Sequence, residues 1–260
     1  MKTIKDIDRI FFFSILRKLN RFRFILIQYF YKIKLKNSIK DRNHFYSSYS
    51  QNIENDLSKL CEKHGTDKGY IDFDKKIPNQ GQPLPYSLVY HNLFAHCREN
   101  IKFIFECGIG SNNEDVLSNM SSTGIPGASL RMWREYFPNA QIYGADIDKR
   151  ILFEEERIKT FHVDQTNAQS VKFMWSEINK NNLDIIIDDG LHTFEAAITL
   201  FENSFENLKP DGIYIIEDVK LEEASKIIKY FDKNIYNTQL ISINCPHRKR
   251  DFLLMLIRNK

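Results

Sequence analysis

From residue 88 onward, short apolar runs rich in β-branched residues alternate with stretches whose apolar positions recur every three or four residues. Runs of the first kind predict strands, and stretches of the second kind predict helices. The predicted strands are 101–107, 141–147, 159–163, 183–188, 212–217, 238–244 and 252–258. The predicted helices lie near 87–98, 129–136, 168–180, 193–207 and 221–231. This alternation predicts a Rossmann-like α/β fold, in which a seven-stranded, mostly parallel sheet is covered by helices on both faces.

The last two predicted strands are joined by residues 245–250 alone. Since this connection is too short for a crossover helix, we expect the two strands to pair antiparallel, which leaves the last strand antiparallel to the rest of the sheet. The sheet domain is predicted to span 88–260. Residues 43–87 contain clusters of Gly, Pro, Asn and Gln and predict an irregular lid or connector.

Residues 1–42 form a basic, aromatic-rich arm that is predicted to be helical. The arm holds twelve Lys and Arg against three Asp, a balance of +9, whereas the remaining residues hold 25 basic against 31 acidic side chains, a balance of −6. No apolar run in the arm approaches the roughly 20 residues that span a bilayer. The absence of a recognition motif beside the basic residues argues against a nucleic-acid partner.

Two interpretations of the arm remain open. A basic amphipathic helix can lie on an anionic membrane surface, which would make the protein peripheral at the inner membrane. Alternatively, the arm packs on the main domain or on a second subunit of a homo-oligomer, and we favour this because charge runs are usually solvated surface. The four cysteines are widely spaced, so we expect reduced thiols and a cytoplasmic protein rather than structural zinc.

Two carboxylate clusters follow neighbouring apolar runs. Asp188 and Asp189 end one run, and Glu217 and Asp218 end the next. Acids gathered at one edge of a sheet repel one another unless a cation joins them, so Asp189, Glu217 and Asp218 are candidate ligands of a divalent cation such as Mg²⁺. His192, three residues after Asp189, is a candidate catalytic base because its pKa is ordinarily near neutrality. Helix capping and a surface ion pair are the alternative explanation.

A glycine turn ends the first predicted strand. Glu106, Gly108 and Gly110 stand where a ligand approaches the backbone at the carboxyl end of a strand in an open sheet. Asn113 occupies the position at which the dinucleotide fingerprint requires a third glycine, so a nicotinamide cofactor is disfavoured.

Acids and an amide follow the next two strands. Asp146 is the candidate for hydrogen bonds to both hydroxyls of a ribose, and Asp148, on the same side, is the alternative. Asp164 and Gln165 end the third strand, where they either reach the exocyclic amine of an adenine or cap the following helix.

These motifs together resemble those of the class I S-adenosylmethionine-dependent methyltransferases. More narrowly, they are similar to the metal-dependent sugar O-methyltransferases of macrolide-sugar and bacterial surface-polysaccharide pathways. The segments that carry the resemblance are 64–69, 106–110, 126–133, 144–148, 164–166, 188–192 and 216–218. The resemblance spans about residues 60–258 and does not include the arm.

The resemblance implies an enzyme that transfers a methyl group from S-adenosylmethionine to a hydroxyl of a sugar or glycan acceptor. It places the metal on Asp189, Glu217 and Asp218, the base on His192, and Asp188 toward the cofactor. The glycine turn and the polar residues of the next two strands form the rest of the cofactor site. Two alternatives stay open, a methyltransferase of a catechol or other vicinal diol, and a non-catalytic module that binds nucleotides or a membrane surface.

Overall fold

The computed structural model describes residues 18–27, 29–33, 44–48, 54–69, 86–120, 122, 124–231, 235–244 and 252–260. The first helix, α1, comprises residues 18–27 and 29–33. The other helices are α2 (Asp56–His64), α3 (Tyr86–Phe94), α4 (Ala128–Tyr136), α5 (Ala168–Ile178), α6 (Phe194–Glu202) and α7 (Leu221–Phe231), with 3₁₀ turns at Lys149–Ile151 and Phe205–Asn207. No helix within these ranges is long and apolar enough to cross a membrane.

The strands form one mixed sheet. They are β1 (His44–Ser48), β2 (Phe103–Cys107), β3 (Gln141–Asp146), β4 (Glu154–Glu155), β5 (Ile158–His162), β6 (Leu183–Asp188), β7 (Leu208–Ile216), β8 (Tyr236–Asn244) and β9 (Phe252–Asn259). Their spatial order is β1-β8-β9-β7-β6-β2-β3-β5-β4. The strands β7, β6, β2, β3 and β5 are mutually parallel, while β9 runs antiparallel to both β7 and β8.

The predicted α/β fold is confirmed, and each of the seven predicted strands is present with ends shifted by at most a few residues. The described sheet has nine strands rather than seven. The two additional strands are short edge strands, β1 beside β8 and the two-residue β4 beside β5. Neither has the run of β-branched residues that marks an interior strand, so the hydrophobic pattern gave no signal for them.

The core lies on both faces of the sheet because successive side chains of a strand point to opposite sides. In β6, Ile186 belongs to one buried cluster, whereas its neighbours Ile185 and Ile187 belong to the other. Helices α5, α6 and α7 cover the first face, and α2, α3 and α4 cover the second. The central strands are therefore buried on both sides, which is why they read as continuous apolar runs.

The expectation of an irregular lid or connector over 43–87 needs correction in its described part. Helix α2 begins with a capping box, in which Asn55 and Ser58 exchange hydrogen bonds, and ends at Gly65 in the left-handed conformation. Leu57 and Cys61 of this helix are buried in the second core cluster. The helix thus belongs to the sheet domain, and the domain begins well before residue 88. Residues 70–85 lie outside the described residues.

The aromatic cluster around Phe201 provides a test of how this core is held. Phe201 of α6 is 1% exposed, and its ring lies 4.7–5.2 Å from those of Phe205, Tyr214, Phe231 and Tyr236. We expect Phe201→Ala to lower the free energy of unfolding by about 3–5 kcal/mol, because the contacts and the transfer free energy are both lost.

Urea unfolding followed by circular dichroism measures this change. Phe173→Ala is the matched control, since Phe173 is 63% exposed and its truncation should change stability by about 0.5 kcal/mol or less. Equal losses in the two variants would contradict the assignment of Phe201 to a close-packed core.

Candidate active site

The carboxyl ends of the parallel strands open into a cavity of about 940 Å³. The register pairs Cys107 with Asp188 and Asp188 with Ile216, so β2, β6 and β7 end at the same level. The loops that follow these strands therefore meet at one edge of the sheet. The predicted site residues that line the cavity are Gly108, Gly110, Asp146, Asp148, Asp164, Gln165, Asp189, His192 and Asp218. Glu106, Asp188 and Glu217 are buried and do not line it.

Glycine is required where the loop after β2 meets the loop after β6. Gly108 has a φ of 86°, and a Cβ there would collide with the backbone carbonyl of Asp189. Gly108 donates its N–H to the carbonyl of Ala145 at 2.8 Å, while Asp189 donates its N–H to the carbonyl of Cys107 at 2.9 Å. These hydrogen bonds join the glycine turn to the ends of β3 and β6, and the absence of a side chain at Gly108 lets a ligand in the cavity approach the backbone.

Asp146 and Asp148 differ in how their carboxylates are engaged. Asp146 accepts N–H hydrogen bonds from Ile109 and from Asp148, each at 3.0 Å, and thereby joins the glycine turn to the end of β3. Asp148 accepts from the side chains of Ser111, Asn113 and Arg150 at 2.6 Å. The Arg150 guanidinium holds the pKa of Asp148 well below its ordinary value. Asp148 is therefore anchored by protein groups, which favours Asp146 as the ligand-facing acid.

Gln165 fastens the acidic turn after β6. Its Nε2 donates to Asp188 Oδ1 at 2.6 Å, and its Oε1 accepts the N–H of Leu191 at 2.9 Å. Burial raises the pKa of Asp188 to about 6. Asp164 lies on the cavity wall, where its Oδ1 accepts the N–H of Thr166 at 3.0 Å. Gln165 and Asp188 are hydrogen-bonded to each other, whereas the hydrogen bonds of the Asp164 carboxylate come from Thr166 in its own loop. Asp164 is thus the acid of this group that faces the cavity.

Asp189, His192 and Asp218 form a group whose potential ligand atoms, one from each residue, lie within 4.8 Å of one another. His192 Nε2 is 4.0 Å from Asp189 Oδ1. Two of the three residues have left-handed backbones, with φ of 56° at His192 and 47° at Asp218. Such conformations cost about 1–3 kcal/mol and persist only where the surroundings fix them. Tyr86 does so for Asp218, because its hydroxyl donates to Oδ1 and accepts the Asp218 N–H.

Lys68 brings a positive charge into the acid clusters. Its Nζ lies 2.5 Å from Asp189 Oδ2, 2.7 Å from Glu217 Oε2 and 3.3 Å from Glu106 Oε1. Burial alone would lower the pKa of Lys68, but these three carboxylates together raise it well above its ordinary value. Burial raises the pKa of Glu106 and of Glu217 above its ordinary value, and the Lys68 ammonium opposes that rise. Lys68 is therefore the cation that joins these acids in the described structure.

Two aromatic side chains complete the shell behind Lys68. Tyr90 donates its hydroxyl to Glu217 Oε1, and Trp133 donates its Nε1–H to Glu106 Oε2 at 2.5 Å. The predicted metal set is thus divided, because Asp189 and Asp218 face the cavity while Glu217 lies behind them against Lys68. No role is predicted for Tyr90 from the sequence, and Lys68 and Tyr86 fall within the predicted lid or connector over 43–87. The signal for Lys68 was its place in the motif at 64–69.

The curated proteins with similar sequences are sugar O-methyltransferases. No protein-family model matches the chain. A mycinamicin VI 2''-O-methyltransferase of Micromonospora griseorubida is 40% identical over 165 residues, 63% of this chain and 36% of the relative. A rhamnosyl tetracenomycin-C 2'-O-methyltransferase of Streptomyces olivaceus is 30% identical over 164 residues, 63% of this chain and 38% of the relative. The chain therefore spans well under half the length of these relatives.

Solved structures support the fold. The MycE methyltransferase of the mycinamycin biosynthetic pathway, in complex with Mg and SAH, superposes with a TM-score of 0.55 at 23% identity, covering 79% of this chain and 55% of that protein. A second structure of MycE, which also contains mycinamycin VI, gives a TM-score of 0.54. The chain has the fold of these methyltransferases, and its predicted resemblance to sugar O-methyltransferases is confirmed at the level of sequence similarity.

Proposed function

We propose that the protein is an S-adenosylmethionine-dependent O-methyltransferase that uses Mg²⁺ and acts on a hydroxyl of a sugar or glycan. The observation that carries the proposal is that one cavity brings together the glycine turn, Asp146 and the group Asp189, His192 and Asp218. A binding module needs the first two, whereas a reaction at a hydroxyl needs the third. Sequence similarity to sugar O-methyltransferases supports the same assignment.

The cavity has the shape and chemistry that a nucleoside-type methyl donor requires. Its volume lies within the range of small-molecule sites. Gly108 and Gly110, both at positive φ, let the ligand approach the backbone, and Asp146 is placed to accept hydrogen bonds from ribose hydroxyls. Asp164, at the end of the neighbouring strand, faces the adenine side of such a ligand. Asp148 and Gln165 line the same cavity, whereas Glu106 and Asp188 are buried and do not line it.

Asp189 and Asp218 supply the oxygen donors that a Mg²⁺ ion requires. This ion is commonly held by one or two carboxylates and keeps its remaining positions for water or substrate oxygens. Both carboxylates line the cavity, and Tyr86 fixes the orientation of Asp218. Glu217, the third predicted ligand, is adjacent in sequence and shares Lys68 with Asp189. The donor set therefore fits a hard divalent cation.

In the proposed reaction, S-adenosylmethionine supplies an electrophilic methyl group and the divalent cation lowers the pKa of the acceptor hydroxyl. His192 accepts the hydroxyl proton on its imidazole ring, which faces the cavity beside Asp189. Asp189 and Asp218 would hold the cation at which the acceptor hydroxyl binds, and a hydroxyl oriented in this way would react more readily than one that meets the methyl donor in a bimolecular encounter.

The acceptor in this proposal is a sugar of a surface polysaccharide, its lipid-linked precursor or a nucleotide sugar, and the reaction takes place in the cytoplasm. The resemblance in the motifs and the sugar-modifying relatives support this class of acceptor. A catechol or another vicinal diol offers two adjacent oxygens in the same way, so the assay includes both classes.

Substitution of His192 tests the enzymatic part of the proposal. We expect His192→Gln to lower turnover by about 10²- to 10⁴-fold, because the proton acceptor is lost, while S-adenosylmethionine still binds. Transfer of a radiolabelled methyl group to a panel of nucleotide sugars, lipid-linked glycans and catechols measures turnover, and calorimetry measures cofactor binding.

His96→Gln is the matched control, since His96 is exposed and lies outside the cavity. If the wild-type protein methylated catechols and none of the sugars, the proposed acceptor would be a catechol instead of a sugar. A failure of the wild-type protein to bind S-adenosylmethionine at high micromolar concentration would overturn the proposed activity and favour a non-catalytic module.

We also propose that α1 binds an anionic membrane surface, which is the interpretation of the arm that the sequence alone did not favour. The helical period of about 3.6 residues places Leu19, Phe22, Tyr29 and Phe30 on one side of the helix, where they are 58–65% exposed. Tyr31, on the opposite side, packs against the core cluster that α6 and α7 cover. Tyr31 is thus the contact that the core cluster makes with this helix in the described residues, and most of the helix's apolar side chains are exposed.

The charge of α1 supports lipid as the partner. Residues 18–33 contain Lys18, Arg21, Arg23 and Lys32 and no acidic residue. Basic side chains at an anionic leaflet contribute about 1 kcal/mol each. In a symmetric dimer formed through α1, the four basic residues of one copy would lie close to those of the other, and the resulting repulsion disfavours self-association through this helix. The prediction of a homo-oligomer through another surface stays a prediction.

Vesicle co-sedimentation tests the membrane proposal. We expect the protein to pellet with phosphatidylglycerol vesicles and not with phosphatidylcholine vesicles, and to dissociate as salt screens the charges. The triple variant Phe22→Ser, Tyr29→Ser, Phe30→Ser should lose most of this binding. Phe173→Ser, which removes an equally exposed aromatic residue from α5, should retain it. Pelleting that is independent of lipid charge, or unaffected by the triple substitution, would contradict the proposal.

A further inference from the structure

Lys68 places its positive charge among three carboxylates at the ends of the parallel strands. Its side chain is buried, and its Nζ lies within 3.3 Å of the carboxylates of Asp189, Glu217 and Glu106. Glu106 and Glu217 are fully buried, so water cannot compensate their charges. A buried carboxylate without a partner is strongly destabilising. In the described structure, the lysine ammonium is thus the counter-ion of this acid cluster.

The backbone of Lys68 is fixed by the loops on either side, and the residue borders the cavity. The Lys68 carbonyl accepts the N–H of Ser87 at 2.8 Å, which ties the loop after α2 to the first turn of α3. Gly65, at the end of α2, donates its N–H to Cys61 and anchors the other side of the loop. Although Lys68 borders the cavity, its side chain is only 3% exposed. Departure of the ammonium from the cluster therefore requires rotation of the flexible four-carbon side chain toward the cavity.

Lys68 and a divalent cation would use the same oxygens. Asp189 Oδ2 and Glu217 Oε2 are the two acceptors nearest to Nζ, at 2.5 and 2.7 Å. Asp189 and Glu217 are also two of the three predicted metal ligands. Two positive charges that share these oxygens would repel each other strongly in an environment so poor in water.

We propose that the Lys68 ammonium competes with the divalent cation for Asp189 and Glu217, and that entry of the cation displaces Nζ from both carboxylates. The inference rests on the metal site of the proposed function. Displacement frees Glu217 to join Asp189 and Asp218, so the divided set becomes a three-carboxylate site only when the cation is bound. Lys68 is in this respect a positioning residue, which holds the acids together in the absence of the ion and lowers the affinity for it.

Replacement of Lys68 by a neutral side chain of similar length tests the competition. We expect Lys68→Met to bind Mn²⁺ about 5- to 150-fold more tightly than the wild type, the range typical of two coupled ligands. Electron paramagnetic resonance of free Mn²⁺ measures this affinity without methyl donor or acceptor. Lys63→Met is the matched control, since Lys63 lies on α2 and pairs with Glu135 at the surface. Unchanged or weaker Mn²⁺ binding by a folded Lys68→Met variant would overturn the inference.

Thermal unfolding gives a second readout on the same variants. Lys68→Met should lose stability without metal, because three carboxylates remain without their counter-ion, and added Mg²⁺ should raise its melting temperature more than that of the wild type. Lys68→Arg keeps the charge and should show no gain in affinity. A wild-type-sized Mg²⁺ response in Lys68→Met would count against competition.

Chemical labelling of the wild-type protein keeps the test independent of whether Lys68→Met folds. Acetylation of Lys68, measured by mass spectrometry, should accelerate when Mg²⁺ is added, while that of Lys63 stays constant. An unchanged rate of Lys68 acetylation at saturating Mg²⁺ would contradict displacement.

None of these measurements involves methyl transfer. A failure of the proposed activity would therefore be seen separately, in the S-adenosylmethionine binding and acceptor assays. Absence of Mn²⁺ binding in every variant would overturn both the competition and the metal site.

Discussion

The acid cluster at the ends of β2, β6 and β7 imposes the constraint on which the site depends. Three carboxylates lie within 3.3 Å of one ammonium group, and two of those carboxylates are fully buried. Such a cluster is stable only with a cation inside it. Lys68 provides that cation from a loop outside the sheet, so it also fixes the position of α2 and α3 over one face.

The same constraint links the fold to the proposed chemistry. Acids that would bind a catalytic cation must be close together, and this proximity destabilises the protein whenever the ion is absent. A lysine in the cluster removes that difficulty in the ion-free protein. Under the proposed competition, the same lysine also lowers the affinity for the ion. Stability without ligand and affinity for the ligand are therefore opposed at this site, as is usual for functional clusters of charge.

Position at a strand end predicted which residues gather at the cavity, but did not predict which of their oxygens a ligand can reach. Asp148 and Gln165 both line the cavity, yet their side chains are held by Arg150 and by Asp188 respectively. Asp146 and Asp164 are bound mainly by nearby backbone N–H groups. Hydrogen bonds between side chains therefore decide which of the cavity-lining residues keep oxygens available to a ligand.

The amino-acid sequence determined the order of strands and helices, the antiparallel end of the sheet and the set of acids at its carboxyl edge. It could do so because period, β-branched runs and glycines are local properties. The tertiary structure alone decided the edge strands, the place of α2 in the domain, and the positions of Lys68, Tyr86 and Tyr90 against the acids. Lys68 is 121 residues from Asp189 and 149 from Glu217. No periodicity connects residues at such separations, and only the packing of α2 and α3 on the sheet brings their charges together.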